Sequence, residues 1–430
     1  MRRDVLMLQG PIGPFFARFA RGLEARGFRV WKVNFNGGDR LFYRGERTID
    51  YRGGLDRWEE YLERLIVDSG IGRIYLFGDC RAYHRIAREV ARRQRVRLFV
   101  FEEGYVRPNF VTLEEHGVNG HSTMMADPVR LDAPDDEAPE ERAQPARVFL
   151  VSALYSMMYY WACALDAKRF PRYRHHRPLG WLKEGLHWVR SGFRKLVYAR
   201  RERHVLGELL PRFSNRYFLC PLQVHCDMQV VVHSDFNSIE HFLGEVLASF
   251  AGHAPEDAAL VLKHHPMDRG YTDYAELIDG LVRELGLEGR VFYVHDLDLP
   301  TLLRHARGTV LINSTVGISS LFHGAPVKTL GRAIYDLPGL TSQLPLNAFW
   351  GGVEPVDAEA FATFRTNLVL RNQLNGNLYR RIRGADEAGI VWSEALLREH
   401  SWREEPVELT VIRGGGPAVP IEDDSAAQAA

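Results

Sequence analysis

Tyr217-Phe-Leu-Cys-Pro-Leu-Gln-Val-His-Cys-Asp227 is the stretch that decides the fold. Tyr217 to Cys220 is an apolar run of strand length, and Pro221, which has no N–H for a ladder, marks its end. Gln223, His225 and Asp227 follow at once. Open α/β sheets bind ligands just outside the carboxyl ends of their strands, so polar side chains gathered there face a cleft. An aspartate at such a point can equally cap the next segment. The choice turns on whether other strand ends carry similar clusters.

They do, on both sides. Downstream, 238–250 reads as a helix with Ser238 as N-cap. The apolar run 259–262 reads as a strand that ends in Lys263-His264-His265-Pro266. A cation and an imidazole at a strand end suit a phosphate and a ribose. Helix 274–285, strand 291–294, helix 299–305 and strand 309–312 follow. Asn313-Ser314-Thr315-Val316-Gly317 then opens a helix to 322, and hydroxyls with backbone N–H groups there suit a phosphate. Ordinary capping and a surface histidine are the alternatives for these two loops. A last strand covers 325–330. The His264-His265 pair does not suggest a metal, because adjacent residues rarely point at one ion, and none is expected.

Upstream, strand 5–9, the loop Gly10-Pro-Ile-Gly13-Pro14, an amphipathic helix ended by Gly27 and strand 30–35 form a βαβ unit. The loop lacks a full dinucleotide or P-loop pattern. Gly10 and Gly13 either approach a sugar or anionic ligand or form a plain turn. Asn34-Phe-Asn36-Gly-Gly-Asp39 reads as a loop with positive-φ positions or a polar edge for an acceptor. Helix 58–66 leads to strand 73–77, which ends in Gly78-Asp79-Cys80-Arg81. Helix 83–93 leads to strand 96–101, which ends in Glu102-Glu103-Gly104-Tyr105-Val-Arg107-Pro108. Adjacent carboxylates at an apolar strand end are costly unless paired or functional. Burial would raise one into general-base range, whereas pairing with Arg107 would leave a surface turn. Asn119-Gly-His121-Ser122 is a loop that can line the same cleft.

The expected fold is α/β, with two Rossmann-like domains facing across a cleft. The first spans 1–146 and the second, which carries the phosphate-type loops, spans 212–345. The boundaries follow from composition. The stretch 127–146 is acidic and proline-bearing and reads as a loop. The segment 147–211 is a helical insertion, apolar and aromatic over 149–165. Residues 166–205 then carry twelve Lys/Arg against three acids, net +9, with Trp181, Leu182, Trp188, Phe193 and Tyr198 interleaved. That mixture fits an interfacial membrane helix, or a hairpin packed between domains with its charges solvated. Residues 346–413 read as helices packing back, and 414–430 as a disordered tail.

The chain of 430 residues is long enough for two or more domains of ~100–200 residues. Lys+Arg and Asp+Glu are both 55, so no global basic field argues for nucleic acid. Cys80, Cys163, Cys220 and Cys226 have neither disulfide nor zinc spacing and read as reduced thiols. The first residues are too short for a signal h-region, and no uninterrupted apolar run reaches the ~18 residues of a membrane helix. A cytoplasmic protein with peripheral membrane contact is the expectation.

Leu8-Gln-Gly-Pro-Ile-Gly-Pro-Phe-Phe16, Asn34-Phe-Asn-Gly-Gly-Asp39, Phe77-Gly-Asp-Cys-Arg-Ala-Tyr-His84 and Phe101-Glu-Glu-Gly-Tyr-Val-Arg-Pro108 resemble the KpsS/LipB family of capsular polysaccharide proteins. The resemblance covers most of 1–345 and implies a GT-B glycosyltransferase. It implies a cytoplasmic β-Kdo transferase on the inner face of the bacterial inner membrane. Such an enzyme moves Kdo from CMP-Kdo, with retention, to a (lyso)phosphatidylglycerol lipid. It would start the poly-Kdo linker that a KpsC partner extends, without a metal. Carried over residue by residue, Asp227 is the catalytic carboxylate, with Glu102 or Glu103 as base. Gln223, His265, Pro266, Ser314, Thr315 and Gly317 hold the nucleotide sugar, and Lys263 and Asn313 join them from the strand ends read above. Gly10, Gly13, Asn34, Asn36, Asp79, Arg81, Tyr105 and Arg107 line the acceptor side. A glycerophosphotransferase, another sugar-nucleotide transferase, and a non-catalytic export scaffold remain the alternatives.

Overall fold

The computed structural model describes residues 4–125, 132, 138–143, 145–174, 181–394 and 396–397, with only the backbone described at 181–184. The first half is built from β1 (Asp4–Met7), α1 (Phe15–Ala25), β2 (Arg29–Asn34), α2 (Gly37–Phe42), β3 (Thr48–Asp50), α3 (Trp58–Asp68), β4 (Ile71–Phe77), α4 (Ala82–Gln94), β5 (Arg97–Glu103) and β6 (Phe110–Glu115). Then come α5 (Val148–Leu165), α6 (Trp181–Arg201) and α7 (Val205–Phe213). The second half holds β7 (Tyr217–Pro221), α8 (Met228–His233), α9 (Ile239–His253), β8 (Ala259–Lys263), α10 (Ala275–Glu284), β9 (Val291–Val294), α11 (Leu299–His305), β10 (Ala306–Leu311), α12 (Val316–Phe322) and β11 (Val327–Thr329). The last elements among the described residues are α13 (Leu346–Phe349), α14 (Ala358–Asn372), β12 (Gln373–Gly376) and β13 (Ile390–Val391).

The central strands are apolar because helices cover both faces of each sheet; β1, β7 and β8 are buried throughout. The parallel strands run β3-β2-β1-β4-β5 in one sheet and β9-β8-β7-β10-β11 in the other. Counted from each half's first strand, both read 3-2-1-4-5, the doubly wound order. Each half therefore has a crevice where the order reverses, between β1 and β4 and between β7 and β10. A shared core joins the halves, with Tyr105, Val106 and Phe110 packed among Leu311, Ile318, Tyr335, Phe361 and Phe364.

Several local expectations are corrected. Pro221 does not lie beyond the strand but is its last ladder residue, opposite Lys263, and Leu222 N–H donates to Lys263 O at 2.9 Å. The Asn34–Asp39 stretch is not a loop: Asn36 caps α2, accepting from Asp39 N–H at 2.9 Å. Residues 346–413 are not helical throughout. β12 pairs antiparallel with β6, and β13 with β12, extending the first sheet to eight strands. Gln373-Leu-Asn-Gly376 has no strand pattern of its own, and its pairing is supplied by a partner 261 residues away, where Gln373 Nε2 donates to Thr112 Oγ1 at 3.0 Å. Most of the acidic stretch lies outside the described residues, but its end is docked: Glu141 meets Arg365 at 2.6 Å and Arg142 N–H donates to Asn375 at 3.0 Å. The 414–430 tail lies outside the described residues.

Helix α5 is long and apolar enough, by length and composition, to cross a membrane, although two serines interrupt its apolar run. One face is held by the protein. Tyr159 OH accepts from Asn36 Nδ2 at 2.7 Å and from Gln9 Nε2 at 3.1 Å. A Cβ on Gly37 would sit 2.1 Å from Ala162 O, and one on Gly38 would sit 2.3 Å from the Tyr159 ring, so this glycine pair lets α2 and α5 touch. The rest of α5 is open, with Phe149, Leu150, Leu154, Met157, Trp161 and Leu165 exposed.

Candidate functional site

The carboxyl ends of the second sheet and the end of β5 enclose a cleft of about 700 Å³. The second half contributes Gln223, Asp227, Lys263, His265, Pro266, Asn313, Ser314 and Thr315. The first half contributes Glu102, Glu103, Arg107 and Asn119. The switch point between β7 and β10 is closed by a direct bond: Gln223 Nε2 donates to Asn313 Oδ1 at 3.1 Å, and Asn313 N–H to Gln223 Oε1 at 3.3 Å.

Asp227 both caps a helix and faces the cleft. Its Oδ1 accepts from Gln229 N–H at 2.9 Å as the N-cap of α8, and its Oδ2 accepts from Gln223 Nε2 at 3.1 Å. Two donors thus hold the carboxylate in one orientation. His225 and Cys226, between them, have no sequence-derived role. The structure gives His225 one, because its Nδ1 contacts the fully buried Asp268 at 2.5 Å. Asp268 N–H donates to His265 O at 2.9 Å, so the Asp227 and His265 loops are tied together.

His264 and His265 point apart. His264 is buried and contacts Tyr293 OH at 2.7 Å; burial first, then the neighbouring His295, pushes its pKa down to about 4. His265 accepts from Met267 N–H on Nδ1 at 3.2 Å, which leaves Nε2 as the protonated nitrogen of a neutral ring. Burial lowers its pKa, while Asp268 opposes. Lys263 is nearly enclosed, with Nζ donating to His295 O at 3.2 Å. Burial lowers its pKa, and Glu202 and Asp296 oppose.

The two glutamates have separate fates. Glu103 pairs with Arg107 at 2.8 Å, with both side chains about half exposed. Glu102 turns inward, and its Oε2 would lie 3.4 Å from a Cβ on Gly78, a residue held at φ +70. Burial raises the Glu102 pKa to about 7; the Glu103 and Asp79 charges add to the rise, while the Glu103 N–H, donating at 3.1 Å, and Arg81 oppose. A carboxyl that titrates near neutrality is suited to taking and returning a proton.

The other first-half candidates do not line this cleft. Gly10 packs on the Phe16 ring of α1, 2.8 Å from where a Cβ would stand, and Gly13 faces α5, where the Tyr155 ring stands at the same 2.8 Å. Asn34 is buried against Asp50 at 3.2 Å, and Asn36 serves α2 and Tyr159. The acceptor edge expected at these residues is therefore taken up by the chain itself, by α5 at Gly13 and Asn36, by Phe16 at Gly10 and by Asp50 at Asn34. Tyr105 OH donates to Glu114 at 2.7 Å and is buried. Arg81 Nη1 donates to Gln9 Oε1 at 2.9 Å, spanning the first half's switch point. Asp79 binds His121 at 2.9 Å. Gly317 makes room for Tyr335, whose OH would be 2.4 Å from a Cβ there.

The sequence reading missed one wall. His295, Asp296, Leu297 and Asp298, just beyond β9, line the cleft. Glu202, at the foot of α6, accepts from His295 N–H at 2.9 Å and Asp296 N–H at 2.9 Å, and contacts His295 Nδ1 at 2.7 Å. Tyr198 stacks on His295 at 3.6 Å. The basic helix thus buttresses the Lys263 side of the cleft.

Two doubly wound halves that close a polar cleft between them define a GT-B-like α/β protein. The chain belongs to the capsule polysaccharide biosynthesis protein family, whose model matches residues 73–379. The capsule polysaccharide export protein KpsS of Escherichia coli is 41% identical over 379 residues, which cover 88% of this chain and 97% of that protein. The capsule polysaccharide modification protein LipB of Neisseria meningitidis serogroup B is 40% identical over 392 residues, covering 88% and 92%. A looser likeness runs to the KpsC β-Kdo 2,7 transferase of Thermosulfurimonas dismutans, at 15% identity and a TM-score of 0.42 over 90% of this chain and 95% of that one.

Proposed function

We propose that this protein is a retaining glycosyltransferase that moves Kdo from CMP-Kdo to a (lyso)phosphatidylglycerol-type lipid, starting the linker of a capsular polysaccharide. The observation that carries the reading is the cleft itself, with a carboxyl of pKa about 7 on one wall and a fixed carboxylate beside a Lys/His pair on the other. Asp227 attacks the anomeric carbon as the bond to the CMP oxygen breaks, giving a glycosyl-aspartate and CMP. Lys263, the His265 Nε2–H and the Ser314-Thr315 start of α12 stabilise the departing phosphate. The acceptor hydroxyl then attacks the same carbon, Glu102 takes its proton, and the Asp227 carboxylate is regenerated. Two inversions give net retention, and CMP leaves without metal assistance. Glu103, neutralised by Arg107, is the lesser candidate for the base.

His265→Ala should raise the Kd for CMP by ~10–100-fold, the worth of a hydrogen bond to a charged group, with the fold unchanged. Calorimetry with CMP reads this directly, and an unaltered Kd removes His265 from the donor site.

The acceptor reading is supported by the exposed faces of α5 and α6. Leu186, Val189, Phe193 and Leu196 form an exposed apolar stripe beside the exposed Arg190, Lys195, Arg200 and Arg201. Arg194, a membrane-contact candidate by sequence, is instead spent on the protein, donating to Arg269 O and Thr272 O at 2.9 Å and pairing with Asp273 at 3.1 Å. We place the protein peripherally on the cytoplasmic leaflet, within reach of a KpsC-type partner. Reversing Lys195, Arg200 and Arg201 to Glu should weaken binding to anionic vesicles by ~100-fold or more, since each cation near such a surface is worth ~1 kcal/mol. Unchanged vesicle sedimentation would overturn the membrane reading.

The transfer itself is tested by incubating the protein with CMP-Kdo and lyso-phosphatidylglycerol and analysing the lipid by mass spectrometry. A Kdo-lipid supports the reading. CMP-Kdo left intact, with a CDP- or UDP-linked donor consumed instead, points to another transferase. Turnover of none of these donors leaves the export scaffold that the E. coli relative's name suggests.

A further inference from the structure

Cys80, His121 and His233 are brought together from three separate elements. Each offers one ligand atom, and these atoms lie within 4.8 Å of one another. Cys80 follows β4, His121 lies in the turn after β6, and His233 ends α8, so the group joins the first half to the second. The two imidazole rings meet edge to face with centroids 4.5 Å apart. Gly120 makes this possible, since a Cβ there would fall 2.3 Å from His233 Nδ1.

Three observations point to a bound ion. First, the donor set is two imidazoles and a thiol, which suits Zn(II). Second, His233 is 0% exposed and its Nε2 has no hydrogen-bond partner. A buried ring nitrogen left unpaired is costly unless something occupies it. Arg332 Nη2 approaches the other nitrogen only at 3.4 Å and is already bonded to Val232 O at 2.9 Å. Third, the fully buried Asp79 holds His121 Nδ1 at 2.9 Å, leaving Nε2 for a metal. A carboxylate behind a ligating histidine is the usual support for zinc.

We propose that Cys80, His121 and His233 form a Zn(II) site that clamps the two halves together at the cleft's edge, with water as the fourth ligand. A tetrahedral zinc sets its donors ~3.3–3.6 Å apart, so the side chains need close by only ~1 Å. Binding replaces the thiol proton of Cys80, which passes to solvent, and the Sγ contact to Asp79 Oδ1 is given up. The site touches no cleft-lining residue assigned to the reaction, and it acts through α8, whose first turn is capped by Asp227. It departs from the expectation that the protein holds no metal, and it stands whichever donor the cleft takes.

The test uses the full chain, stripped with chelator and reloaded with Zn(II) or Co(II). The proposal predicts one equivalent of zinc per chain by elemental analysis. Co(II) should give a thiolate-to-metal charge-transfer band, and the melting temperature should rise on loading. His121→Ala and Cys80→Ser should each lower zinc affinity ~10-fold or more, and Cys80→Ser should abolish the charge-transfer band while a His-ligated cobalt spectrum persists. A wild-type protein that takes up no zinc, or whose cobalt complex lacks the thiolate band, overturns the site without recourse to any variant. Equal zinc binding by both variants and the wild type overturns it as well.

Discussion

Asp227→Asn should lower Kdo transfer by ~10³-fold or more, because the variant loses the carboxylate proposed to form the glycosyl intermediate. The choice of Asn matters. Asp227 Oδ1 caps α8 through Gln229 N–H, and an alanine would remove about 1 kcal/mol of helix stability together with the proposed nucleophile. Asparagine caps equally well, so the melting temperature should hold while activity falls. CMP affinity should hold too, since Lys263 and His265 are untouched. A variant with wild-type transfer would show that Asp227 is a cap and nothing more.

Glu102→Gln should lower kcat/KM by ~10²–10⁴-fold, the usual contribution of a general base. In the wild type the base works only when ionised, so activity should rise with pH through about 7, where burial has placed its pKa. The variant should lose that limb of the profile. The same burial has an opposite effect on stability. The folded-state pKa lies above the ordinary value of 4.5, so the folded protein holds its proton more tightly than the unfolded chain. Glu102 therefore costs the fold stability as pH rises from about 4.5 through about 7, and Gln should recover it. A variant that is slower yet melts higher at pH 8 is the combined signature. Glu103→Gln, which breaks the exposed pair with Arg107 and removes one of the lesser charges raising the Glu102 pKa, should leave kcat/KM within a few-fold of wild type.

What the sequence made legible follows one rule, that chemistry gathers at the carboxyl ends of parallel strands. Asp227, Lys263, Asn313 and Glu102 all follow or end such strands, and all reach one cleft. The rule also covered His295 and Asp298 beyond β9, where the polar run was visible but not used. It over-reached at Gly10, Gly13, Asn34 and Asn36. A glycine-rich turn looks the same whether it receives a ligand or a side chain, and here Tyr155 and Tyr159 of α5 take the space at Gly13 and Asn36, while Phe16 and Asp50 take it at Gly10 and Asn34. Other features had no local signal at all. The antiparallel strand β12 exists only because β6 is there to pair with it. The His225–Asp268 contact spans 43 residues, and only folding shows that it joins two loops of the site. His121 and His233 are unremarkable singly in the sequence, and only their meeting across the two halves gives them chemistry.

The most direct test of the double displacement is to mix the protein with CMP-Kdo in the absence of any acceptor, quench with acid, and sequence the peptides by mass spectrometry. The mechanism predicts one Kdo unit on the peptide carrying Asp227, absent from Asp227→Asn and discharged when the lipid acceptor is added first. Formation of Kdo-lipid by a protein that never carries the adduct, with Asp227→Asn equally active, would contradict it.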